Sequence, residues 1–166
     1  LAGRVFGAGF GFAFGCTTLF ASALLIAGVG PWLPFQMLAA AWVGAGAGLL
    51  PRVRGRTEIA LLAAYGVVAA YVFGLLMNLS GWPFALGVEV PGHTGSLSFV
   101  PGDPLLENLH RFAVYTFLTS TGSFDTGRAI TNAVAIVVLG PAVLVTLRRA
   151  QRRAEVRQLV GAPPTT

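Results

Sequence analysis

No charged residue interrupts the chain from Val5 to Leu50. At 1.5 Å of rise per helical residue, that stretch would reach roughly 70 Å, more than twice the ~30 Å apolar core of a bilayer. It must therefore hold two crossings and a turn. The turn is marked by Gly28-Val29-Gly30-Pro31-Trp32-Leu33-Pro34, because glycine admits unusual dihedrals and proline starts or ends helices. The spacing predicts a first span over residues 5–27 and a second over 34–50, with Pro31 or Pro34 in its first turn.

Composition supports the same class. Of 166 residues, 55% are hydrophobic and 10% charged, with a mean hydropathy of +0.74. Soluble domains carry about 25% charged residues, and disordered chains are more polar still. The fold class expected is all-α: a polytopic membrane helix bundle of about four spans forming one domain over 1–150, with a polar tail over 151–166. The third span is expected over 58–79, with Thr57 as its cap and Glu58 in its first turn. It stops at Asn78-Leu79-Ser80-Gly81-Trp82-Pro83. A long polar loop follows. Within it a helix over 104–119, carrying His110 and Arg111, reads as interfacial. The fourth span is expected over 126–147, bent at Pro141.

All 11 basic residues are arginine. With no lysine there is no phosphate-loop lysine and no Schiff-base lysine. Nine of these arginines (4, 52, 54, 56, 148, 149, 152, 153 and 157) fall on one side if the spans alternate. The positive-inside rule makes that side cytoplasmic, with both termini. The loop over 80–125, with four of the six acids, is then outside. The net charge of +5 thus reads as membrane orientation, and no nucleic-acid partner is expected. The location implied is the plasma membrane, multi-pass, with a cytoplasmic C-terminus.

Cys16 stands alone in an apolar run and reads as a small buried residue. His93 and His110 lack metal-ligand spacing, so no metal and no cofactor is expected. No paired carboxylates and no GxSxG elbow occur, and no enzyme activity is expected. Residues 1–27 resemble a signal peptide only in having Arg4 before an apolar run. The start at Leu1, inside an apolar pattern, is read as an N-terminal truncation.

Small residues recur at helical spacing: Gly7, Gly11 and Gly15 in span one, Gly44 and Gly48 in span two, Gly66 and Gly74 in span three. In lipid, such residues let helix backbones approach. They serve either packing within the bundle or a smooth face for a partner helix. Near the outer ends of three spans gather Trp32, Phe35 and Gln36, then Asn78 and Trp82, then Asp125, Arg128 and Asn132. Aromatic faces with a few amides and one arginine suit a small, flat, partly polar ligand. The substrate-binding set is taken as Trp32, Phe35, Gln36, Asn78, Trp82, Arg128 and Asn132. The alternative for each is structural: belt tryptophans, interhelical amides, and a surface pair of Arg128 with Asp125.

The segment Gly28-Val29-Gly30-Pro31-Trp32-Leu33-Pro34-Phe35-Gln36-Met37 resembles the GPW-x-P-[FW]-QM signature of substrate-binding S components of energy-coupling factor (ECF) vitamin transporters, of actinobacterial type. The glycine-rich helix ending Ser22-Ala23-Leu24-Leu25, and Leu76-Met77-Asn78 before Trp82, are similar too. The resemblance covers about residues 1–150. It implies six spans with both termini inside. Four are counted here, which is what two absent leading spans would leave. The family's AxxxA docking motif lies on the first span and is not carried over. The implied function is capture of a vitamin or precursor at the outer face, leaning toward cobalamin or another corrinoid, with thiamine precursors, folate and riboflavin open. The implied partners are a transmembrane coupling protein, two ATPase subunits and membrane lipid. The rival readings are an assembly subunit without ligand and a small membrane enzyme acting on lipid.

Overall fold

The computed structural model describes residues 1–91 and 93–161; Gly92 and residues 162–166 of the tail lie outside the described residues. Every regular element among them is helical. A short α1 (Ala2–Phe6) precedes α2 (Ala8–Ser22), which continues as a π-helical turn, Ala23–Ala27. Then come α3 (Leu33–Leu49) and α4 (Arg56–Gly81), the latter tightening into a 3₁₀ turn, Trp82–Phe84. After the loop, α5 (Leu105–Thr116) runs through a π-helical stretch, Phe117–Asp125, into α6 (Thr126–Gly161).

Three helical stretches are long and apolar enough to cross a membrane: Ala8–Ile26, Arg56–Phe84 and Leu105–Arg157. This marks the chain as membrane-spanning. The fourth apolar helix, α3, has 17 residues, about 25 Å at the usual rise.

Several boundaries differ from the sequence expectation, each for a local reason. The first span breaks at Gly7, whose φ of +96° is left-handed territory open to glycine. Thr57 does not cap α4; Gly55 (φ +67°) holds the cap position and makes no side-chain cap bond. The stretch before residue 126 is not loop but helix, so α5 and α6 form one rod. At its other end α6 passes residue 147 and reaches Gly161, through a run of arginine, alanine, glutamine and glutamate with good helix propensity.

Helices α2 and α3 pack through glycine. A Cβ placed on Gly44 would fall on the Gly11 carbonyl oxygen, and one on Gly11 or Gly3 would fall on the Gly44 carbonyl. Gly15 meets the backbone of Ala40, and Gly48 meets that of Ala8. Backbones this close gain dispersion contacts that lipid tails would otherwise supply. Gly7 takes no part, since nothing lies within 4 Å of its would-be Cβ. A hydrogen bond ties this pair to α4: the Tyr65 hydroxyl donates to the Val43 carbonyl at 2.7 Å.

One ridge spaced every four residues runs along α4 into the 3₁₀ turn: Glu58, Leu62, Gly66, Ala70, Gly74, Asn78 and Trp82; its lower part packs against α6, Gly74 meets the π-helical stretch, and Trp82 meets α5. The first five are buried, as is Trp82. At the arginine-rich end, buried Glu58 accepts from Arg4 Nε at 2.8 Å and from Arg148 Nη2 at 2.7 Å. Arg4 also donates to the carbonyls of Leu50 (2.8 Å) and Val53 (3.1 Å). One carboxylate thus joins α1, the α3–α4 turn, α4 and α6. At the other end Trp82 donates its indole N–H to the Leu97 carbonyl at 2.7 Å and packs on Phe99 and Phe112. Asn108 pins the loop by exchanging two bonds with the Val100 backbone.

Gly44→Leu is expected to separate α2 from α3 and cost about 3 kcal/mol or more by overpacking. Gly9→Ala, where a Cβ meets open space, is expected to be tolerated. Thermal unfolding and size-exclusion profiles in detergent check the pair; equal profiles for both variants would contradict the glycine contact.

Candidate functional site

The upper part of the α4–α6 ridge gathers polar groups at a depth where lipid-facing sequence is apolar. Gly74 lies 16 residues beyond Glu58, about 24 Å along the helix, inside the apolar stretch Arg56–Phe84 that is long enough to cross a membrane. Gly74 has no side chain, and the carboxylate of Asp125 occupies the space where its Cβ would be. Asp125 is 1% exposed. Its Oδ2 accepts from the Ser120 hydroxyl at 2.6 Å and its Oδ1 from Arg128 Nη1 at 3.1 Å. The Arg128 guanidinium lies over the Phe73 ring at 5.1 Å from its centroid. A charge at this depth persists only when paired or functional.

The local winding makes this cluster. A π-helix bonds i to i+5 and stacks residues five apart on one face. Ser120 therefore reaches Asp125, and the Thr126 hydroxyl reaches the Thr121 carbonyl at 2.6 Å. The Tyr71 hydroxyl meets Thr126 Oγ1 at 3.1 Å, fixing the π stretch to α4. Two turns deeper, Asn132 Nδ2 donates to the Gly66 carbonyl at 3.1 Å.

Two buried polar atoms nearby have no hydrogen-bond partner among the described residues: Asn78 Nδ2 and Thr116 Oγ1. Asn78 sits on the ridge one turn above Gly74 and one turn below Trp82. Thr116 sits one turn from Phe112 on the way to Asp125. The register thus places both between the Trp82–Phe112 contact and the Gly74–Asp125 contact. A buried amide or hydroxyl without a partner loses its hydration for no return, so such atoms mark places for water or ligand.

The seven residues singled out in the sequence divide between two places. Asn78, Arg128 and Asn132 belong to the ridge, with Trp82 closing its top. Phe35 lies elsewhere, in a shallow cavity of about 290 Å³ between α3 and α4 with Leu38, Trp42, Leu76, Leu79 and Ser80. Trp32 is half exposed and its ring lies against Gly30. Gln36 is half-buried. On α4, Leu76, Leu79 and Ser80 face away from the ridge, so the two places are separate. Gly66 and Gly74 serve side chains rather than a backbone: a Cβ on Gly66 would press on Ile136, and one on Gly74 on Asp125.

Ser120, Thr116, Tyr71 and Phe73 were not singled out beforehand. The four-residue spacing from Glu58 to Trp82 was a usable signal for the ridge; nothing in the composition of 117–125 announces π winding. Among the described residues, no group of three His, Cys, Asp or Glu side chains can hold a metal ion. Comparison with protein families, with curated proteins and with solved structures finds no match.

Asp125→Asn keeps the size and the Ser120 bond but removes the charge that Arg128 meets. The expected loss is about 2 kcal/mol, the scale of one charge-assisted hydrogen bond. Asp125→Leu, which branches into the Gly74 contact, is expected to cost more. Unfolding midpoints in detergent check the order; two variants as stable as the parent would contradict a structural hold by this carboxylate.

Proposed function

We propose that the chain is a membrane-embedded substrate-capturing subunit of an importer of the ECF type. It takes a vitamin or vitamin precursor at the outer face. The observation that carries this reading is the pair of unpartnered buried groups, Asn78 Nδ2 and Thr116 Oγ1, at positions between the Trp82–Phe112 and Gly74–Asp125 contacts. An amide donor and a hydroxyl in an apolar wall select a flat ring with a carbonyl or ring-nitrogen acceptor.

In this reading the chain crosses the plasma membrane four times, α3 included, with both termini inside. The energy comes from two ATPase subunits through a transmembrane coupling protein, in keeping with a chain that has no lysine for a phosphate loop.

A second reading, an assembly subunit without ligand, has its own support. Trp82 is closed onto Phe99 and Phe112, and Phe10 and Phe14 stack on an exposed flank of α2. Such a flank suits a partner helix.

Native mass spectrometry of the full chain from membranes, followed by calorimetry with the molecule that co-purifies, separates the two. Asn78→Leu is expected to weaken binding about tenfold, the worth of one buried hydrogen bond, while membrane insertion is unchanged. Equal affinity of variant and parent would remove this site. Absence of any bound small molecule would favour the assembly reading.

A further inference from the structure

At the arginine-rich end of the bundle, a cavity of about 330 Å³ opens between the start of α4 and the middle of α6. It is lined by the charged Arg56, Glu58 and Arg148 and by the apolar Ile59, Pro141, Leu144 and Val145. Pro141 and Arg148 are seven residues apart, so the cavity runs about 10 Å along α6 from a charged rim into apolar depth.

The charges at its rim are unbalanced. Glu58 is the one acid lining it and is already held by Arg4 and Arg148. Arg148 meets Glu58 through Nη2 alone; its Nη1 and Nε have no hydrogen-bond partner among the described residues. Arg56 is exposed and forms no ion pair among them. Two guanidinium groups thus hold one carboxylate while Arg56 also lines the cavity, leaving a surplus of positive charge beside an apolar wall.

We propose that this cavity seats an anionic phospholipid, its phosphate between Arg56 and Arg148 and an acyl chain along Ile59, Pro141, Leu144 and Val145. Guanidinium groups match phosphate oxygens in geometry and charge. A free phosphate would use the rim alone. A lipid uses both, and its headgroup comes to rest at the level where Glu58 and Arg148 meet. A choline headgroup would bring a cation toward the surplus arginine charge, so the anionic class is selected. The bound lipid neutralises the surplus and braces α4 against α6 at the end opposite the Asp125 cluster. This site is separate from the proposed vitamin site and does not rest on it.

Native mass spectrometry of the full chain from detergent micelles, titrated with dioleoyl phosphatidylglycerol or dioleoyl phosphatidylcholine, tests the assignment. Phosphatidylglycerol is expected to occupy one site at lower concentration than phosphatidylcholine. Arg56→Gln is expected to weaken its binding roughly fivefold, the scale of one basic residue at an anionic surface. Val145→Trp, which fills the apolar wall without changing charge, is expected to weaken it as well. Arg157→Gln, on the tail away from the cavity, is expected to leave it unchanged. Equal binding of the two lipids would overturn the proposal. So would a loss in Arg157→Gln equal to that in Arg56→Gln, which would mean diffuse attraction to the tail. Displacement of the lipid by an equal concentration of inorganic phosphate would assign the rim to free anions instead.

Discussion

The structure depends on how buried polar groups are paired along the α4 ridge. In a bilayer, water is absent to satisfy a stray carboxylate or amide, so each one without a partner inside the bundle is costly. Four of the seven ridge positions meet this demand in different ways. Glu58 collects two arginines from distant parts of the chain. Gly66 offers its carbonyl to Asn132. Gly74 yields its side-chain space to Asp125. Trp82 donates to the backbone of the loop at Leu97. Between these polar points lie Leu62 and Ala70, which pack without hydrogen bonds. The helix is thereby fixed in rotation and in height, because sliding it by one turn would break all four pairings together.

The two ends of this ridge have different characters, and the difference has chemical consequences. The Glu58 end is over-supplied with positive charge and rests against an apolar wall. The Asp125 end is a closed polar cluster, where π winding brings Ser120 and Asp125 to one face. That cluster borders two groups left without partners. Small-residue packing between α2 and α3 adds a second rigid pair, tied to the ridge helix by Tyr65. The bundle is thus two close-packed pairs joined along α3 and α4, with polar chemistry confined to one seam.

Much of this architecture was legible in the sequence because lipid imposes coarse rules. The uncharged run from Val5 to Leu50, the Gly-Pro break and the first arginine cluster located α2, α3 and α4 to within a few residues, while α6 runs well past the expected end at 147. What each glycine does was not legible. Gly7 and Gly11 sit at the same spacing, yet one is a left-handed break and the other a backbone contact; only the partner helix distinguishes them. The rod from α5 into α6 was hidden for a similar reason. Thr119, Ser120, Thr121, Gly122 and Ser123 have the composition of a loop, and tertiary pairing of Asp125 and Thr126 with α4 holds them helical. Trp82 also looked like a rim residue, since its partners Leu97, Phe99 and Phe112 are contributed by later segments. Arg4 and Glu58, 54 positions apart, offered no local sign of their pairing.

The central claim is that α4 crosses a bilayer, carrying the arginine-rich turn on one side and the polar loop on the other. Substituted-cysteine labelling in a Cys16→Ala background tests it most directly, with Arg54→Cys and Ser96→Cys each exposed to an impermeant maleimide. The account predicts that Ser96→Cys reacts on intact cells and that Arg54→Cys reacts only after permeabilisation. Reaction of both from the same side, or of Arg54→Cys from outside, would contradict it.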